Sequence, residues 1–190
     1  MQPTEILMTE HKAVLLSLSI LEEAGRAFAS GSADAAQDLE QLLDFFRGFV
    51  DHCHHSKEEQ ILFPELVKRG VPQEGGPIGV MLFEHETGRE HVRRIQALLQ
   101  ASQRGEAGAA DQVLATILSY RALLEAHIGK EDRVLFPMAD RLLDSHRAEE
   151  LVQEFDRIEL EHVGVGKHEA YHQMLQALQD RYLNKTRTEN

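Results

Sequence analysis

Apolar residues in this chain recur at intervals of three and four, the period of one face of an α-helix. Near the N-terminus Leu7, Val14, Leu18 and Leu21 form such a face, and His11 falls inside it. A later stretch repeats the arrangement with Ile78, Met81, Val92, Ile95 and Leu99, and His85 lies in line between Met81 and Val92. Leu39, Leu43, Phe46 and Val50 continue through His54 and Glu58 to Ile61 and Leu62, and Leu114, Ile117, Leu124 and Ile128 lead through His127 and Glu131 to Val134 and Leu135. These stripes point the histidines inward. Five prolines, Pro3, Pro64, Pro72, Pro77 and Pro137, leave long stretches free to be helical, and glycine with small polar residues marks the other breaks, at Ser30 to Ser32, Gly70 to Gly79, Gly105 to Gly108 and Gly164 to Gly166. Six helices are predicted: Thr4 to Ala29, Asp34 to Phe63, Ile78 to Gln103, Ala110 to Leu143, Arg147 to His162, and Lys167 to Leu183. The fold class is all-α, an up-down-up-down four-helix bundle over residues 1–143 with a C-terminal helical hairpin over 144–190. In that hairpin Leu151, Phe155 and Ile158 are expected to face Tyr171, Leu175 and Leu178, the pair capping the bundle or forming a dimer contact.

A chain of 190 residues, 42% of them apolar, buries a core without a disulfide or a structural metal, so any metal would be there for chemistry. The 32 acidic residues against 20 Lys and Arg give a net charge of −12 with no long basic run. That balance argues against nucleic acid and anionic membranes as partners. No apolar run approaches the roughly 18 residues of a membrane span, and the first ten residues lack a secretory pattern. The single cysteine, Cys53, fits a reducing compartment, and a cytoplasmic protein, monomer or homodimer, is expected. What changes the picture is the count of 11 histidines.

Their placement follows an internal repeat. Lys57-Glu58-Glu59-Gln60-Ile61-Leu62-Phe63-Pro64 and Lys130-Glu131-Asp132-Arg133-Val134-Leu135-Phe136-Pro137 are nearly one sequence, 73 residues apart, as are His54 and His127, while Glu10-His11 recurs as Glu84-His85 at 74. Each half therefore carries one Glu-His and one His-x-x-x-Glu. His11 and His85 each stand 18 residues before the end of their helix, and His54 and His127 stand 19 and 17 residues after the start of theirs. Those spans are each roughly 26 Å at 1.5 Å per residue. An antiparallel bundle thus brings His11, His54, Glu58, His85, His127 and Glu131 into one layer, and in His-x-x-x-Glu both side chains stand on one face, one turn apart. Such a set is costly in an apolar core unless cations compensate it. Imidazole with carboxylate suits iron, manganese or zinc, and the absence of a cysteine pair argues against structural zinc. Two bridging carboxylates with histidines on both ions point to a di-iron centre, with manganese the lesser option.

The pattern of a single His, His-x-x-x-Glu, a second single His and a second His-x-x-x-Glu resembles the hemerythrin-like family, the HHE cation-binding domain. It is carried by His11, by His54 with Glu58, by His85, and by His127 with Glu131, together with the repeated Leu-Phe-Pro segments, over about Glu5 to Pro137. The resemblance implies a non-haem di-iron protein, oxo- or hydroxo-bridged, that binds or senses a small ligand such as dioxygen, nitric oxide or peroxide. The alternative is a redox enzyme of peroxidase, catalase-like or ferroxidase type, and a third reading is a regulatory module. One departure stands out: oxygen-carrying members have a further histidine one turn beyond the third-helix ligand, where this chain has Arg89. Four histidines and two bridging carboxylates fill eight of the roughly 12 positions of two six-coordinate ions, and a bridge between the ions leaves about one open position on each.

The remaining residues have blander readings. His52 and His55 fall at angles away from the inner face, as surface groups or partners of a ligand, with His55 close enough to serve as a fallback ligand; His91, Glu159, His162, His168 and His172 are the other candidates for a seventh ligand. Glu10 and Glu84 read as solvated flanking residues, Cys53 as a packed small residue, and Phe46, Phe49 and Phe63 as core.

Overall fold

The computed structural model describes residues 2–162 and 166–184, and every regular element among them is helical. α1 is Pro3–Ala29. α2 (35–68) is one rod in which α-helical turns give way to wider π-helical ones: Ala35–Phe45, the π-helical Phe46–His55 and Glu58–Leu62, then Phe63–Lys68. α3 is Pro77–Gln103, and α4 (109–142) joins Ala109–Lys130, the π-helical Glu131–Leu135 and Phe136–Leu142. α5 is Ser145–His162 and α6 is Lys167–Tyr182. The six predicted helices are all present. Pro3 and Pro77 open α1 and α3, where the missing N–H costs nothing. Gly31 and Gly105, with φ of 86° and 81°, close the turns after α1 and α3 in the left-handed region that side chains avoid.

Pro64 does not end the second helix at Phe63. The rod continues to Lys68, because a π-helical turn immediately precedes the proline. A proline within an α-helix removes an N–H and collides with the carbonyl four residues back, and an i→i+5 turn moves that carbonyl out of the way. Pro137 follows the Glu131–Leu135 turn in the same way.

The four long rods enclose two apolar clusters. One, with Leu18, Leu21, Leu39, Phe46, Ile95 and Ile117, fills the end that carries the Gly31 and Gly105 turns; the other, with Leu7, Leu62, Phe63, Met81, Leu135 and Phe136, fills the end that carries both prolines. The histidines and glutamates of the repeat lie between the two clusters.

The C-terminal helices do not pack face to face as their stripes suggested. Leu151, Phe155 and Ile158 join the proline-end cluster, whereas Tyr171, Leu175 and Leu178 join the other. α5 and α6 each lie against α1 and α2, so together they cover that groove along its length rather than capping one end. Polar ties fix both. Arg181 and the Tyr182 hydroxyl donate to the buried Asp38 at 2.6 to 2.8 Å, Tyr171 donates to Asp44 at 3.1 Å, and Arg147 reaches Glu65 at 3.2 Å. Among the described residues, no helix is long and apolar enough to cross a membrane.

Two outcomes follow from this seating. A Cβ on Gly48 would overlap the Tyr171 hydroxyl, so Gly48→Ala should unseat α6 and lower stability by about 1–3 kcal/mol, read by thermal melting and by faster amide exchange in 167–182. Burial pushes the Glu65 carboxyl up, but hydrogen bonds and charge from Arg69 and Arg147 hold it below the ordinary value of 4.5. A depressed carboxyl adds stability above its unfolded pKa and loses it as pH falls. The melting temperature should therefore drop more steeply below about pH 4.5 in the wild type than in Glu65→Gln.

Candidate metal centre

α1 and α3 each supply one histidine to the middle layer, and α2 and α4 each supply a histidine and a glutamate. His11 Nε2 faces His54 Nε2 at 3.1 Å, and His85 Nε2 faces His127 Nε2 at the same distance. The carboxylates link the two pairs. Glu58 lies 3.7 Å from His54 and 3.4 Å from His85, while Glu131 lies 3.3 Å from His11 and 3.2 Å from His127. All six side chains are buried. The structure brings together the whole set read from the repeat, as two groups that share Glu58.

A seventh residue joins them. His11, His54, Glu58 and Glu131 converge as one potential cation site, and His55, Glu58, His85 and His127 as a second. His55 is buried, its ring stacked on His85 with centroids 3.8 Å apart. The angle that placed it off the inner face assumed 100° per residue, and the π-helical Phe46–His55 winds less than that, so adjacent His54 and His55 both face inward. His52, with normal angular logic, stays exposed. His91, Glu159, His168 and His172 belong to neither group, and the side chain of His162 lies outside the described residues.

Each repeat histidine is held by its other nitrogen. His54 Nδ1 donates to Glu10 at 2.7 Å and His127 Nδ1 to Glu84 at 3.0 Å, each within its own half; His11 donates to Asp132 at 2.7 Å and His85 to Glu59 at 2.7 Å, each across to the other half. Glu10 and Glu84 are therefore not solvated flanking residues. They also accept from Lys57 and Lys130, three residues beyond each histidine. This pattern makes Nδ1 the outward donor of each ring and turns all four Nε2 atoms inward, where each offers a lone pair whenever its ring is neutral.

The arrangement fits a bound cation. Both oxygens of Glu58 and both of Glu131 are buried with no hydrogen-bond partner, as is His55 Nδ1. Four unpaired carboxylate oxygens against inward lone pairs would be costly unless a positive charge sat among them. The proton affinities agree. Burial and the nearby Glu131 push Glu58 well above the usual carboxylate range, while Glu131, despite burial, is held below it by His127 and His11. Burial disfavours the His11 imidazolium, yet its hydrogen bond to Asp132 and the adjacent Glu131 carboxylate raise its pKa to about 10. Without a metal, protons take the place of its charge. His55 is pushed well below the ordinary histidine range by burial and by His85, His54 and His127, so its ring is neutral and one of its nitrogens keeps a lone pair.

A family model described as the hemerythrin HHE cation-binding domain matches residues 2–139. The chain belongs to this family. Within the HHE pattern, Arg89 stands where the resemblance placed a further histidine, and its guanidinium bonds Asp51 and Glu59, each at 2.7 Å; Glu59 is the acceptor that orients His85. Curated relatives named as uncharacterized proteins, from Mycobacterium bovis and two strains of Mycobacterium tuberculosis, are each 26% identical over 152 residues, covering 80% of this chain and 59% of theirs. The chain thus spans about three-fifths of the length of those relatives. α5 and α6 lie beyond the HHE match.

Replacing a carboxylate that orients a metal-binding histidine typically costs 10–100-fold in affinity. Glu10→Ala and Glu84→Ala should each weaken metal binding by about that factor, measured by competition with a chelator, whereas Glu86→Ala, on an exposed carboxylate bonded to Arg93, should leave it unchanged.

Proposed function

We propose that the protein is a non-haem di-iron protein that binds or senses a small ligand, dioxygen, nitric oxide or peroxide, with manganese the lesser option for the metal. The observation that carries this reading is the set of four partnerless carboxylate oxygens, on Glu58 and Glu131, at the centre of five buried imidazoles. His11 and His54 would hold one ion, His85, His127 and His55 the other, and Glu58 and Glu131 would bridge them. Bound as a pair, iron ions supply open coordination positions and a reversible one-electron change at each metal.

His55 alters the coordination count. Five imidazoles and four carboxylate oxygens fill nine of roughly 12 positions, and the surplus histidine belongs to one ion only. The two metal positions would then be unequal, the one with two histidines keeping more room for a small ligand. The space beside the layer suits a molecule of that size: a cavity of about 10 Å³ lies against His11 and His54 of one group and His55 and His127 of the other, its remaining walls Val14, Val50, Leu124 and Ile128. That is about the volume that admits one water-sized molecule. An organic substrate does not fit, and apolar walls favour a weakly hydrated diatomic.

The chain's own residues do the rest. Glu10, Glu84, Asp132 and Glu59 hold the imidazoles in orientation, and the apolar clusters on either side keep bulk water from the layer. A regulatory role is favoured by one further contact, Lys57 Nζ to Glu159 of α5 at 3.2 Å, which joins the Glu10 that orients His54 to the C-terminal helices.

Protein from iron-supplemented cells should contain about two iron ions per chain, and His54→Ala should lose at least half of them. His55→Ala should retain metal and make the two iron environments alike by Mössbauer spectroscopy. Anaerobic reduction followed by oxygen, nitric oxide and peroxide in turn should give one saturable optical change with the physiological ligand; sustained peroxide or Fe(II) turnover would instead place the protein among redox enzymes.

A further inference from the structure

One cavity of the described structure lies away from the metal layer. It has a volume of about 470 Å³ and opens where the end of α5 and the start of α6 meet on the α1–α2 groove. That size falls within the range of small-molecule sites, whereas the space at the metal layer does not. Five of its lining residues, Glu159, His168, Tyr171, His172 and Leu175, come from helices beyond the part of the chain that matches the family. Phe45 and Phe49, stacked with centroids 5.0 Å apart, pack edge-on against Tyr171 and His168, and Ile6 and Ala13 of α1 complete the apolar lining.

The polar groups on this wall restrict the occupant. Three are carboxylates, Glu5, Glu10 and Glu159, and two are histidines. A phosphate or carboxylate ligand would meet like charge, and the cations beside the cavity are engaged, Lys57 with Glu10 and Glu159 and Lys167 with Asp44 and the face of Tyr171. For a cationic ligand the carboxylates are already engaged, Glu10 by His54 and Lys57, Glu159 by Lys57 and His168, and Glu5, on the exposed rim, by the Gln2 N–H. The carboxylates retain acceptor lone pairs, and among the described residues the His172 ring, stacked on His168, has no hydrogen-bond partner. What fits is a neutral molecule with flat apolar faces and one or two O–H donors at its edge.

We propose that this cavity is a binding site for a neutral hydroxy-aromatic molecule of one or two rings, of the phenol or naphthol class. Its rings would lie against Ile6 and Ala13 of α1 and the aromatic wall in which Tyr171 packs edge-on to Phe45, with centroids 5.3 Å apart, and its hydroxyl would turn to the carboxylate and histidine edge. The site stands apart from the metal reading, since none of its walls belongs to either cation group except through Glu10, which bonds the outer nitrogen of His54.

The full chain, stripped of metal by chelation, is titrated with 2-naphthol and followed by naphthol fluorescence. Saturable one-to-one binding is expected, with a Kd on the order of 10–100 μM for a ligand of this size. 2-Naphthoate, with the same rings and an anionic edge, should bind at least tenfold more weakly. Thr9→Trp, from an exposed position on the rim, and Ala13→Phe, from the floor, should each fill the space and weaken 2-naphthol by at least tenfold, with circular dichroism reporting the fold. No saturation up to 1 mM, equal binding of the anion, or unchanged affinity in whichever filled variant is folded would overturn the proposal. Because no metal is present, these outcomes do not depend on the di-iron reading.

Discussion

Everything in this bundle is arranged around a cluster of buried groups that do not satisfy one another. Glu58 and Glu131 place four oxygens in the core without a hydrogen-bond donor, and the imidazoles beside them are turned so that their donors point away. Folding such a layer unaided works against the apolar clusters on either side, which is why the metal-free groups are driven to unusual proton affinities, Glu58 upward and Glu131 downward. Cation binding and proton uptake are thus alternative ways to meet one electrostatic requirement. A bound metal would remove the proton demand at Glu58 and at His11 together, so metal loading and folding are thermodynamically linked here.

The repeat explains how the cluster is supported. Its two halves are interleaved: Glu10 and Glu84 brace the histidine of their own half, while Asp132 and Glu59 brace the histidine of the other. Neither half can orient all its ligands alone. The symmetry then breaks at two places. The residue matching His55 in the second half is Ile128, so only one cation group gains a third imidazole. Lys57 is 1% exposed beneath α5, whereas Lys130, its counterpart, is 42% exposed. Both departures add asymmetry to a duplicated scaffold, one at the metals and one at the covering helices.

Much of this was legible in the sequence, and the part that was not has specific causes. The six helices follow from periodic apolar positions between prolines and glycines, and the six repeat residues follow from spacing, because register between two halves survives without knowledge of the fold. His55 was misplaced because a helical wheel assumes α-helical turns, and nothing in Phe46–His55 advertises a wider one. Pro64 was read as a stop for the same reason. Glu10 and Glu84 lie off the apolar stripe of their helices, yet in a bundle each helix has two neighbours, and a position flanking the stripe can face the second one. The Glu-His pair preserved in both halves was the available signal. The opposing stripes of α5 and α6 were correct as stripes but were assigned to each other, when the exposed α1–α2 groove offered both a larger apolar surface.

The wide turns connect the two physical themes. An α-helix presents residues four apart on one face, which suffices for His54 with Glu58 and for His127 with Glu131, but not for two adjacent histidines. Inserting i→i+5 turns at Phe46–His55, Glu58–Leu62 and Glu131–Leu135 re-aims the side chains at the metal layer and lets Pro64 and Pro137 sit inside continuous rods. Such turns forgo good α-helical hydrogen bonding and are uncommon for that reason. They persist here in the segments that carry the metal-facing groups, braced on both sides by apolar clusters. The local backbone cost and the burial of partnerless carboxylates therefore fall in the same layer, where one cation pair can offset both.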